Sequence, residues 1–202
     1  MVKLAANPLK PSKSYVVYSE GEIDLLKERN VNIVHCPRVN FSSHGIPKMP
    51  RMMQMGMNIG MGSDGSSSSN LSLFDEMRVF RSGIHMSWGL SVFDPVVLPA
   101  KELIKMATIG SAKALLLGHE IGMVETGKKA DLILIDIDQP HISPSHSLIN
   151  MIVESVTSRD VADVIIDGKL VMKHREVLTL DEERILYESA QRMKSTAEKA
   201  GV

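Results

Sequence analysis

Apolar positions recur along this chain with two different periods, and each change of period marks an element. Tyr15 to Tyr18 is a short β-prone run. Ser19 lies three residues before Glu22, the spacing at which a hydroxyl and a carboxylate cap a helix reciprocally, and Ile23, Leu25 and Leu26 give that helix an apolar face. Val31 to His35 reads as a strand apolar on both sides, as a sheet covered on both faces requires, and it stops at Cys36–Pro37. The next ten residues, R-V-N-F-S-S-H-G-I-P, read as a loop, followed by a helix from about Lys48 to Met55 that Gly56 ends. Met57 to Met61 is a second buried strand, leading into the turn G-S-D-G-S-S-S-S-N at 62–70. Beyond it Leu73, Phe74, Met77, Phe80 and Ile84 repeat at 3.6 residues over 71–86, and Pro99 opens a further helix that runs to Leu117.

After Gly118 the pattern changes. Leu132 to Ile137 reads as a strand, Pro140 and Pro144 bracket an irregular loop, and Leu148 to Val156 suits a short helix. Asp167–Gly168 between two β-branched runs, Val161–Ile166 and Leu170–Lys173, predicts a hairpin with a type I′ turn. Leu180 to Ala200 is a charged amphipathic helix with Asp181 near its start. Strand–helix alternation in the first part implies parallel strands joined by crossovers. Only two or three such units are present, too few for a closed eight-stranded barrel of about 250 residues.

Composition narrows the classes. The chain has 202 residues, 44% hydrophobic and 23% charged, with a net charge of −1 and no single-sign block, which argues against a nucleic-acid surface or an anionic membrane partner. No apolar run approaches the roughly 20 residues that span a bilayer, and the first fourteen residues lack the apolar core of a signal peptide. One cysteine, Cys36, excludes an internal disulfide framework and fits a reducing compartment, so a cytoplasmic location is expected. Six methionines lie between Met49 and Met61 at helix and strand spacings, which makes them core filling rather than a soft-metal site.

Asp64 is the best candidate for chemistry. A carboxylate on a sharp turn behind a buried strand can ligate a metal or accept a proton, and the small residues around it admit a substrate to the backbone; it can equally cap the helix that follows. His35 ends a predicted strand, the end where barrels place their sites. It reads either as a substrate-proximal residue or as a hydrogen-bonded structural histidine. Cys36 has no base at a recognisable spacing and reads as a buried thiol. His44 sits on a loop at the same end, and His85, His119, His141, His146 and His174 read as surface or loop residues.

V-H-C-P-R-V-N (34–40), the 62–70 turn, G-M-V-E-T-G-K-K-A-D-L-I-L-I-D (122–136), D-I-D-Q-P-H-I-S-P-S-H-S (136–147) and V-I-I-D-G-K-L-V-M (164–172) occur in an order that resembles the amidohydrolase superfamily. The group holding 5′-methylthioadenosine/S-adenosylhomocysteine deaminase and the triazine hydrolases is the most similar. The resemblance implies an α/β fold: the C-terminal part of a metal-dependent-hydrolase (β/α)₈ barrel, then strands of a small β-sandwich and a C-terminal helix. Residues 1–13 would be an irregular lead-in, 14–120 the last strands and helices of the barrel, 121–178 the sandwich part, and 179–202 the helix. It implies a hydrolase of carbon–nitrogen, non-peptide bonds in a purine nucleoside or related N-heterocycle, using one divalent metal, zinc or iron. Asp64 matches the metal ligand and proton acceptor after barrel strand eight, and Ser68 a serine that touches the nucleoside.

The family's H-x-H pair and strand-five histidine have no counterpart here, and counting back from Glu22 puts Ser14 where relatives carry a strand-six histidine. A lone carboxylate does not hold zinc, so the chain by itself is expected to retain no metal. The alternative is a truncated, non-catalytic relative with a structural or oligomerising role. Strands cut from a barrel expose edges that pair with another chain, so a homo-oligomer or a complex with a complementary N-terminal half is expected.

Overall fold

The computed structural model describes residues 12–14, 18–65, 70–94 and 96–201. They form two compact units, one from the chain up to Lys129 together with Ile137–Asp160, the other from Ala130–Asp136 together with the chain from Val161 on.

The first unit is built on a parallel sheet in the order β1 (Ser12–Ser14), β2 (Asn32–His35), β3 (Ile59–Met61). β1 pairs Ser12 with Asn32 and Ser14 with Val34. It therefore begins inside the stretch expected to be an irregular lead-in. Its residues are polar, so no hydrophobic period announces it, and main-chain pairing with β2 decides its place. Tyr15 to Val17 lie outside the described residues.

Helix α1 (Glu20–Glu28) carries the expected capping box: the Ser19 amide donates to Glu22 Oε2 at 2.7 Å, and the Glu22 amide to Ser19 Oγ at 3.4 Å. Ile23 and Leu26 are buried from it. After β2 the expected loop is a helix, α2 (Pro37–Ser43). Pro37 occupies its first turn, where a missing N–H costs nothing, and its polar composition conceals the helical pattern. α3 (Met49–Gln54) ends at Gly56, whose φ of 64° lies in the left-handed region that glycine adopts without strain. Met49 and Met52 are wholly buried, with Met53, Met55 and Met57 packed against the same core.

β3 leads to α4 (Leu73–Ile84), capped by Ser72 and burying Met77, Phe80 and Ile84. The helical path continues through a π turn, His85–Gly89, and a 3₁₀ turn, Leu90–Val92. The long helix expected after Pro99 is interrupted: α5 (Ala100–Lys105) and α6 (Ser111–Ala114) flank a π turn, Met106–Gly110. That turn lies on β3 so closely that a Cβ on Gly110 would stand 2.2 Å from the Ile59 carbonyl oxygen. Ser111 Oγ accepts from the Met61 amide at 3.0 Å and lies 3.0 Å from the Met61 carbonyl oxygen. Ile33 donates to Asn58, and Gly62 to His35, so the even-numbered residues of β3 face β2. Met61 faces the opposite edge, and Ser111 meets it there. α7 (Leu148–Glu154), capped by Ser147, adds Val153 to the core.

The second unit is an antiparallel sheet in the order β4 (Leu132–Ile135), β5 (Val161–Ile166), β6 (Lys169–Lys173), β7 (Glu176–Val177). The β5–β6 turn has φ of 50° at Asp167 and 75° at Gly168, the two left-handed residues of a type I′ turn. α8 (Glu182–Ala200) starts at the Asp181 cap and ends at Gly201, with no residue buried. None of the described helices is long and apolar enough to cross a membrane.

Candidate functional site

Asp64 stands three residues beyond β3, at the C-terminal end of the parallel sheet. Its φ of 60° places it in the left-handed region, which aspartate tolerates better than most residues, and its own Oδ1 accepts from the Gly65 amide at 2.6 Å. The carboxylate is exposed. The chain reaches it over Gly62, where a Cβ would meet Cys36 Sγ at 3.1 Å and Val34 Cγ1 at 3.6 Å. A side chain there would press on the Cys36 sulfur, which would have to give by a few tenths of an ångström. Burial pushes the Cys36 thiol up to about 11; the Asp64 and Glu76 charges push the same way, and hydrogen bonding from the Asp64 backbone opposes them. The free thiol is protonated at neutral pH.

His35 points elsewhere. It is wholly buried, with its ring 4.5 Å from Phe80 and 5.6 Å from Phe41, centroid to centroid, and its Nδ1 is 2.8 Å from Asn40 Nδ2. An amide nitrogen donates, so Nδ1 is the acceptor and the proton sits on Nε2. Burial lowers its pKa to about 3, which keeps the ring neutral. Ser68, the third expected site residue, lies outside the described residues. His44 is exposed at the end of α2. His141 is tied to Asp160 at 3.0 Å, whereas His119, His146 and His174 are exposed.

Sequence reasoning passed over Glu76. It is 0% exposed, in the first turn of α4, and its Oε2 accepts from the Arg38 amide at 2.9 Å. A signal existed: Glu76 falls between Leu73 and Phe80 on the apolar stripe of α4, where a charge needs an explanation.

A family model described as the amidohydrolase family matches residues 7–171. The chain belongs to the amidohydrolase family. Among its relatives, 5-methylthioadenosine/S-adenosylhomocysteine deaminase of Acetivibrio thermocellus is 40% identical over 174 residues, 84% of this chain and 39% of the relative. An adenosine deaminase from Xanthomonas campestris, solved with bound zinc, superposes with a TM-score of 0.85 at 29% identity, over 91% of this chain and 42% of that one. An atrazine chlorohydrolase from Arthrobacter aurescens shares the fold, with a TM-score of 0.79 at 24% identity over 89% of this chain and 40% of that one. The fold is thus the α/β one of the metal-dependent hydrolases in the TIM-barrel superfamily. The chain spans about 40% of the length of the curated relatives it matches.

Zinc sites in proteins use several nitrogen, sulfur or oxygen donors at once. Around Asp64 this chain offers one exposed carboxylate, a buried thiol and an imidazole buried against Phe80. Among the described residues no three His, Cys, Asp or Glu side chains converge as a metal site would need. These residues do not by themselves fit a catalytic metal.

Proposed function

We propose that this chain is the C-terminal part of a hydrolase that removes an amino group from a purine nucleoside or a related N-heterocycle. The observation that carries the reading is the 40% identity to a 5-methylthioadenosine/S-adenosylhomocysteine deaminase over 84% of the chain, in a stretch that includes the Asp64 turn. In this reading β1, β2 and β3 are the last strands of a (β/α)₈ barrel, and the β4–β7 sheet belongs to a small β-sandwich, followed by the C-terminal helix. Asp64 would supply one ligand to a divalent metal whose other ligands would come from outside the described residues; that metal would activate a water, and the Asp64 carboxylate would accept its proton. Ser68 contacts the nucleoside. His35 supports the site from beneath as a neutral, packed imidazole. The missing strands are supplied by a complementary N-terminal segment, or the chain associates with its own copies.

The test joins this chain to the N-terminal three-fifths of the Acetivibrio thermocellus deaminase, as a fusion or in trans, with zinc. Ammonia release from 5-methylthioadenosine, adenosine and S-adenosylhomocysteine is then measured. Turnover by the reconstituted protein is expected, falling about 10²-fold or more with Asp64→Asn. A folded, zinc-loaded assembly that releases no ammonia from any of them would overturn the substrate assignment. Full activity of the Asp64→Asn variant would overturn the role of Asp64.

A further inference from the structure

We infer that Glu76 is a positioning residue, a buried carboxylate on α4 that fixes the β2–α2 corner on which the Asp64 turn rests. The inference deepens the reading of Asp64 as a site residue. It starts from a helix that cannot cap itself. Cys36, the residue before α2, makes no side-chain cap, and Pro37 has no N–H to offer. The first amide of α2 in need of an acceptor is Arg38, and it finds Glu76 Oε2 at 2.9 Å, from a helix 38 residues further along the chain. A wholly buried carboxylate is expensive to keep. The Arg38 amide gives one of its oxygens a donor.

Next to that capped corner stands Cys36, and against Cys36 lies the path to Asp64. The Gly62 amide donates to the His35 carbonyl at 2.9 Å, one residue before Cys36. The Cys36 sulfur occupies the space a side chain at Gly62 would need, and the Asp64 backbone faces the same sulfur. A shift of the α2 start therefore moves the floor beneath residues 62–64. Glu76 Oε2 holds the Arg38 amide. It acts through Arg38 and Cys36.

The test needs neither metal nor substrate, so its failure is separate from a failure of Asp64 in the reconstituted enzyme. Amide hydrogen exchange is followed by nitrogen-15 NMR in the full chain for Arg38, Gly62, Asp64 and Ile33, whose amide bonds Asn58 within the sheet. Glu76→Met keeps the buried volume and removes the acceptor; Arg38 and Gly62 should exchange at least tenfold faster, with Ile33 changed less than about threefold. Glu76→Gln keeps an acceptor oxygen and should restore both. Gly62→Ala probes the same linkage from the other end, pressing on Cys36, and should speed exchange at Arg38 even if Glu76→Met fails to fold. A loss of protection at all four amides together with no rescue by Gln would reduce Glu76 to general packing. Unchanged exchange at Arg38 in Gly62→Ala would break the proposed linkage.

Discussion

His35 shows how a single ring can be read correctly in type and still be hard to read in role. Its place at the end of β2 was legible, because a two-faced apolar strand stopping at Cys36–Pro37 marks that end. Its direction was not, since one residue more or less along a strand turns a side chain to the opposite face. The packed, neutral state makes a prediction. Unfolded His35 takes up a proton below about pH 6.5, whereas the folded ring resists protonation down to about pH 3. Between those values the unfolded state binds more protons, so stability falls as the pH falls through that window, by at most about 1.4 kcal/mol per pH unit from this group. His35→Phe removes that dependence. It also leaves the Asn40 amide without its partner, at a cost of about 1–3 kcal/mol near pH 7. Urea unfolding at several pH values reads both; a variant with the wild-type pH slope would show that His35 is not the group responsible. At Asp64 the sequence carried the position and the turn, because small residues and a left-handed aspartate follow local rules. It did not carry Glu76's partner, which depends on two helices meeting across 38 residues.

Among the elements, the legible ones obey local chemistry: the Ser19–Glu22 box, the Asp167–Gly168 turn and the stripe of α4. α2 was missed because its sequence is polar and short, and its capping acceptor comes from α4. The break between α5 and α6 was missed because contact with β3 sets it, not a helix breaker in the usual sense. Two glycines measure such contacts. A Cβ on Gly83 would lie 2.2 Å from the Phe41 ring, and one on Gly110 would lie 2.2 Å from the Ile59 carbonyl oxygen. The distances match but the neighbours do not. An aromatic side chain can rotate or shift, so Gly83→Ala is expected to cost about 1–3 kcal/mol, as overpacked cores do. A backbone carbonyl inside a strand has no such freedom, and Gly110→Ala should cost more than about 3 kcal/mol or separate the π turn from β3. Thermal melts of the two variants rank them; equal destabilisation would mean that the helix, not the strand, yields. Ser19→Ala, which opens the capping box, should lower stability by about 1 kcal/mol in the same assay.

At the scale of the whole molecule, the first unit displays an apolar stretch that a soluble monomer seldom shows. Met86, Trp88, Leu90, Val92, Phe93 and Val96 all stand exposed on the connection that follows α4, and Phe93, held at a φ of 54°, is 94% exposed. Single exposed apolar residues are ordinary; a run of six concentrated on one connection is the kind of patch that marks an association surface. Stable interfaces bury roughly 800 Å² on each partner, with large aromatic residues at their centres, and Trp88 and Phe93 suit that role. The isolated 22.2 kDa chain is therefore expected to run as a dimer or larger in light scattering. Trp88→Gln combined with Phe93→Gln should shift it toward the monomer mass. Neither side chain belongs to the buried core, so the helical circular dichroism signal should persist. Dilution separates this from nonspecific aggregation, because a defined interface dissociates over a narrow concentration range and the double variant moves that range upward about tenfold or more. A monodisperse 22.2 kDa species in the wild type would exclude self-association through this surface. It would leave the complementary N-terminal segment as the partner to supply in the reconstitution.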